Sequence, residues 1–329
     1  MLRYPFQQDQ LENMTMSCVT LTDVEWINLN VLVVIRAGLQ YDPASTCCRY
    51  GLNTAQANHL RELSLDELWS LVIHVGDTTL FPPRADLVTL LSTPRVLAGP
   101  MALAHPPMPM ESRRYEPRPM PTRGDRQLRA MQLAKQLAAL GARLKTIHLI
   151  TGIPPRQVQS LFFPDAHTIP RGRAPDSAEW YHGANLILRT DACLIGARYR
   201  QLRNQGLAAG EALVFAYRAY QDATIPPYRI SLDRAFNLVS YIDGIWLANA
   251  PALSVLTCPG CGCEFIAAVG TVAHPGEPCP FCKLLERFHL DHRIQASYPA
   301  RPALDMTERQ LGMLALFHKL SPEGDSPSE

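Results

Sequence analysis

The sequence predicts a mostly α-helical protein built from two helical modules and a small four-cysteine ribbon. Three observations carry that expectation. Apolar residues recur three and four positions apart over most of the chain, the repeat of helices with one buried face. Only beyond Pro251 does the texture turn to short β-prone pieces, Cys263 to Val272. Five of the nine cysteines, Cys258, Cys261, Cys263, Cys279 and Cys282, crowd into 25 positions. With 329 residues, 47% of them apolar, the chain can build two domains and a sizeable core, which excludes wholesale disorder.

Residues 17–93 make the first module. Thr22-x-x-Glu25 and Ser64-x-x-Glu67 are capping boxes, in which hydroxyl and carboxylate each satisfy an orphan amide. The first helix runs to about Leu39 with Val24, Ile27, Val31 and Val34 on one stripe. The second carries Leu65, Leu68, Leu71 and Val72, and Asn53 to Leu63 adds a shorter one. So small a bundle has a modest core, and Val24 to Ile35 is apolar on more than one side, so the module is expected to self-associate. The competing reading has Trp26 and Ile35 completing an internal core.

Eight of the 28 prolines lie between Pro94 and Pro121. Proline lacks the amide that helices and sheets need, so residues 94–124 read as a semi-rigid, extended linker. The second helical module spans 125–250. Asp125 caps a helix through Leu128, Met131, Leu137 and Leu140 towards Leu144. Further helices run from Trp180 to about Gln205, from Ala208 to Ala223 and from Ser231 to about Ala248. The ribbon occupies 251–290, and 291–329 is a tail, polar from Pro322.

Lys and Arg number 31 against 30 Asp and Glu, so bulk charge points to no partner. Its distribution is uneven. Residues 111 to 173 carry 12 basic and 4 acidic side chains, while both flanks are net acidic. The longest aliphatic run, Val31 to Ile35, is far short of the roughly 20 residues a bilayer requires, and no leader is visible. A soluble, cytoplasmic protein without a membrane partner is expected.

Cys258-x-x-Cys261, seventeen residues, then Cys279-x-x-Cys282 is the strongest motif. Each pair turns two thiolates towards one point about 2.3 Å from an ion, and two pairs close a zinc tetrahedron. The gap falls within the usual spacing of about 15 to 20 residues. Pro259-Gly260, Gly262, Pro278 and Pro280 supply the tight turns, and Cys263 is spare. One structural Zn2+ per chain follows. A closed ligand set leaves no position for substrate, so no enzyme is expected. Pro278-Cys279-Pro280-Phe281-Cys282 resembles half of a zinc-deaminase signature, but the H-x-E half is missing upstream.

The second motif lies in the basic stretch. Ile147, Ile150, Ile153, Val158 and Leu161 can pack two helices across a turn at Gly152, with Pro155 opening the second, which is helix-turn-helix spacing. Arg156, Gln157, Gln159 and Ser160 then face outward, residue types that reach base edges in a major groove. Arg156, Gln157 and Gln159 are the candidate base contacts, and Arg143, Lys145, Arg171 and Arg173 the candidate phosphate contacts. His148 occupies a place usually held by a small residue and is expected to crowd the crossing.

Residues 125 to about 283, with AMQLAKQLAALGARLKTIHLITG, AEWY, EALVFAYRAY, LDRAFNLVSYID and the closing CPFC, resemble FlhC, the zinc-binding subunit of the bacterial flagellar master regulator. Residues 17 to about 90, with LTDVEWINLNVLVVIRAGLQYD, RYGLNTAQANHLRELSLDELWSLV and LFPPR, resemble its partner FlhD. The resemblance implies a DNA-binding transcriptional activator of flagellar operons that works with σ70 RNA polymerase, with zinc on Cys258, Cys261, Cys279 and Cys282. The family's subunits are separate chains, so this chain reads as a fusion. It would self-associate through its FlhD-like part or join separate FlhD or FlhC chains. The full expectation is an N-terminal helical dimerisation module plus a helical DNA-binding module with a small four-cysteine zinc ribbon, acting on double-stranded promoter DNA. The alternative is a zinc-stabilised protein–protein interaction scaffold without DNA readout.

Overall fold

A computed structural model describes residues 21–81, 84, 86–106, 123–165, 169–170, 172, 175 and 177–300. At the N-terminus, α1 (Asp23–Tyr41) opens on the expected capping box. The Glu25 amide donates to Thr22 Oγ1 at 3.2 Å and the Thr22 amide to the Glu25 carboxylate at 2.8 Å. α2 (Pro43–Tyr50), α3 (Thr54–Glu62) and α4 (Leu65–Val75) follow, the last two on capping boxes at Asn53 and Ser64. α1 buries Asn28, Leu32, Ile35 and Leu39 against Ala57 of α3 and Leu68 and Val72 of α4. The expected stripe is therefore not the inward one, since Ile27 is 58% and Val34 54% exposed. α1 is apolar on two sides, and the positions of α3 and α4 decide which of them becomes core. Buried Asn28 ties down the segment after α4: its amide donates to the Thr78 carbonyl at 2.8 Å and its oxygen accepts from the Leu80 amide at 3.0 Å.

The linker expectation fails for residues 95–104. After α5 (Leu87–Ser92), these residues form α6 (Arg95–Ala104), with Pro94 at the N-cap and Pro100 inside the helix. Pro100 costs one backbone hydrogen bond. Complete burial of Leu97, Met101 and Ala104 against α11 (Leu186–Asn204) and α12 (Ala209–Ala223) offsets that loss. The rest of the proline-rich stretch, 107–122, lies outside the described residues.

α7 (Arg123–Ala139) ends earlier than expected, because Gly141 adopts φ +80° and α8 (Leu144–Thr151) starts afresh. α9 (Pro155–Phe162) comes next. The helix expected from Trp180 is two, α10 (Glu179–His182) and α11, because Asn185 caps the second through the Leu188 amide. α13 (Leu232–Asp243) stops at left-handed Gly244, short of Ala248. The ribbon hairpin β1 (Leu253–Thr257) and β2 (Glu264–Ala268) is antiparallel with Val255 opposite Ile266. α14 (Pro280–Phe288) and α15 (His292–Ser297) complete the described helices, so the start of the supposed tail is helical and buries Ile294 and Tyr298.

α11 is the axis of the larger body, with α6, α12, α13, α14 and β2 packed around it. Gly196 lies where α11 and β2 come closest: a Cβ there would lie 2.5 Å from Ile266 Cδ1, so a larger residue would displace the Ile266 side chain or the strand. Buried Asp191 accepts from Arg229 at 2.9 Å and from the Tyr220 hydroxyl at 3.2 Å. Ribbon and helices share one apolar core.

Candidate metal centre and nucleic-acid interface

Cys258 and Cys261 sit in the loop joining β1 to β2. The Cys258 amide donates to the Cys263 carbonyl and the Gly262 amide to the Cys258 carbonyl, each at 2.9 Å, which curls the loop into a knuckle. Gly262 has φ +74°, and the His105 ring stands where its side chain would be, so two constraints select glycine. The second knuckle is a helix start. Cys279 is the N-cap of α14, Pro280 its first residue, and Cys279 Sγ accepts from the Cys282 amide at 3.4 Å.

All four sulfurs lie within 4.8 Å of one another, with Cys258 to Cys282 at 3.8 Å and Cys261 to Cys279 at 3.5 Å. A tetrahedron with arms of about 2.3 Å has edges of about 3.8 Å, so the donor set fits a zinc ion in both spacing and chemistry. Burial raises the Cys258 thiol, but the Cys261 and Gly260 amides outweigh it and leave it lowered to about 7. Contact with Cys263 raises Cys261, contact with Cys261 raises Cys279, and burial pushes Cys282 up to about 11. A bound cation would reverse the three upward shifts by favouring thiolates. Cys263 lies beside Cys261 but outside the four-sulfur cluster, its Sγ 3.8 Å from Met101 Sδ in the core.

Sequence reasoning missed Cys193. This buried thiol accepts from the Ile266 amide at 3.3 Å, while the Tyr181 hydroxyl donates to the Ile266 carbonyl at 2.7 Å. Together they hold β2, and with it the first knuckle, on α10 and α11. A lone cysteine in a helical pattern carries no such signal.

In the basic stretch, α8 and α9 meet across Gly152, which is left-handed with φ +74°. Ile147, Ile153 and Val158 are buried at the crossing, whereas Leu161, expected in that core, is 48% exposed. Phe162, packed on the core, and buried Phe163 take the inward places there instead. His148 does not crowd the crossing: its Nδ1 lies 2.9 Å from the Ile153 carbonyl and pins the turn. Thr151 Oγ1 donates to the Ile147 carbonyl at 2.7 Å. Arg156, Gln157, Gln159 and Ser160 are all exposed on α9, and Lys145 is exposed on α8.

Arg143 is placed differently from Lys145. Its Nε lies 3.3 Å from Asp233 Oδ2, and Asp233 also accepts from Thr146 Oγ1 at 2.6 Å, so Arg143 anchors the start of α8 to α13. Arg171 and Arg173 fall outside the described residues. The structure adds Arg126, Arg129 and Lys135, exposed on α7, which packs on both α8 and α9. Reading the polar face of the expected helix from Asp125 would have found them.

The chain thus joins a helical body to a four-cysteine cluster that could hold a metal ion and carries an exposed two-helix turn. The model of the FlhC family, flagellar transcriptional activators, matches residues 125–293, just over half of the chain, and the protein belongs to that family. No curated protein matches the chain.

Proposed function

We propose that this protein is a sequence-specific DNA-binding activator of flagellar operons, stabilised by one zinc ion and acting with σ70 RNA polymerase, and that it is not an enzyme. The observation that carries the reading is the α8–Gly152–α9 turn with Arg156, Gln157 and Gln159 exposed side by side on α9. Amide side chains on a recognition helix can read adenine edges, and a guanidinium can read guanine. Lys145 then contacts phosphate, joined by Arg171 and Arg173 and by the α7 cations. Arg143, committed to Asp233, contributes chiefly by orienting α8. Zinc on Cys258, Cys261, Cys279 and Cys282 folds the ribbon and does no chemistry, since four thiolates leave no open position.

The N-terminal unit is read as a FlhD-like module fused in the same chain and serving association. Trp26, Ile27, Val33 and Val34 of α1 and Leu65, Trp69 and Ile73 of α4 are large, apolar and exposed, which favours a second copy or a separate FlhD or FlhC chain as cover. The same exposure favours the second reading, a zinc-stabilised scaffold without DNA readout. Mobility shift of a flagellar promoter duplex against a scrambled duplex separates the two. Preference for the promoter supports the activator, and equal or no shift supports the scaffold.

A further inference from the structure

A cavity of about 850 Å³ opens between α2, α6, α11 and α12, far from the α8–α9 turn in sequence and built from other elements. Six arginines line it, Arg49, Arg84, Arg95, Arg198, Arg218 and Arg229, against only Asp42 and Asp222 among the acids. Arg84 is paired with Asp86 and Arg229 with Asp191, but among the described residues Arg49, Arg95 and Arg218 have no ion-pair partner. Like charges are not gathered in a concave site without cost, because each raises the potential felt by the rest.

Two further features make the cavity a built site. Tyr298 lines it, is 7% exposed and lies against Arg229, whose guanidinium carbon is 5.2 Å from the ring centroid. The Tyr298 hydroxyl is buried with no hydrogen-bond partner among the described residues. Val96, Leu103 and Phe215 form an apolar wall, and the volume lies within the range of roughly 300 to 1,000 Å³ usual for small-molecule pockets.

We infer that this cavity binds a small molecule carrying two or more phosphate groups, its oxygens held by Arg49, Arg95 and Arg218. Guanidinium forks match phosphate geometry in pairs, and three uncompensated forks suit a polyphosphate better than a single monoanion. The inference stands apart from the DNA reading, since it uses no residue of α7, α8 or α9.

The test is calorimetric titration of the full zinc-loaded chain with sodium pyrophosphate, and with inorganic monophosphate at matched ionic strength. Pyrophosphate should bind saturably at one site per chain and more tightly than monophosphate. The double variant Arg95→Gln/Arg218→Gln should weaken it at least tenfold while its melting curve without ligand stays that of the parent. Arg218→Lys, which keeps the charge, should recover part of the loss and guards against misfolding of the double variant. The variant Lys145→Gln/Arg156→Gln should retain pyrophosphate binding whether or not it shifts DNA. Absence of saturable heat, or unchanged affinity in Arg95→Gln/Arg218→Gln, overturns the inference. So does loss of promoter binding in that variant when pyrophosphate gives no heat, which would assign the cavity to DNA.

Discussion

Gly196 and Asp191 sit on the same helix and each makes a sharp prediction. Gly196→Ala places a methyl 2.5 Å from Ile266 Cδ1, so β2 must move or Ile266 must leave its rotamer. Overpacking of this kind costs about 1 to 3 kcal/mol, readable as a lower denaturant midpoint in chemical unfolding. A midpoint equal to the parent's would mean that the Ile266 side chain yields to the methyl without cost. Burial raises the Asp191 carboxyl, against the pull of Arg229, above its ordinary value. A raised folded value means that the folded state holds the proton more tightly. Stability from this group is then greatest in acid and is lost as pH climbs through the folded value. Arg229→Met removes the opposing charge and raises the group further, so the variant should lose about 2 kcal/mol or more near neutrality and less near pH 5. Unfolding at the two pH values checks this, and an equal gap at both would contradict it.

Helix starts are where sequence and structure agree best, because the capping boxes at Thr22 and Ser64 are local chemistry that needs no tertiary context. Ser64→Ala should cost about 1 kcal/mol, and a thermal melt reads it. Helix ends and faces were harder to read. Gly141 and Asn185 cut expected helices short, since a left-handed glycine or a cap residue can either end or interrupt an apolar period. Pro100 reads as a breaker, yet α6 tolerates it because Leu97, Met101 and Ala104 have a core to enter, and that core belongs to helices far along the chain, α11 and α12. At the candidate site, the grouping of Cys258, Cys261, Cys279 and Cys282 was legible from spacing alone. The service of Cys193 to Ile266, of His148 to the turn and of Arg143 to Asp233 was not, because all three depend on contacts made by other elements or by the turn itself.

In the whole molecule the cysteine knuckles and the helices share one core, with Ile266, Phe281 and Leu284 packed alongside α11. Chelation of zinc should therefore lower the melting temperature of the helical body and not merely fray the ribbon, as far-ultraviolet circular dichroism would record. Acidification should release the metal, because the thiolates must be reprotonated. The N-terminal unit is predicted to hold two or more chains together through Trp26 and Val34, so Trp26→Glu/Val34→Glu should halve or further reduce the native mass. An unchanged mass would place the association surface elsewhere.

The most direct measurement is fluorescence anisotropy of the zinc-loaded chain titrated onto a flagellar promoter duplex and a scrambled duplex at several salt concentrations. Tighter binding to the promoter is expected, with a preference that falls in Gln157→Ala and a logarithmic salt slope reduced by about one unit in Lys145→Ala. Equal affinity for both duplexes, or a preference and slope untouched by these changes, would contradict that expectation.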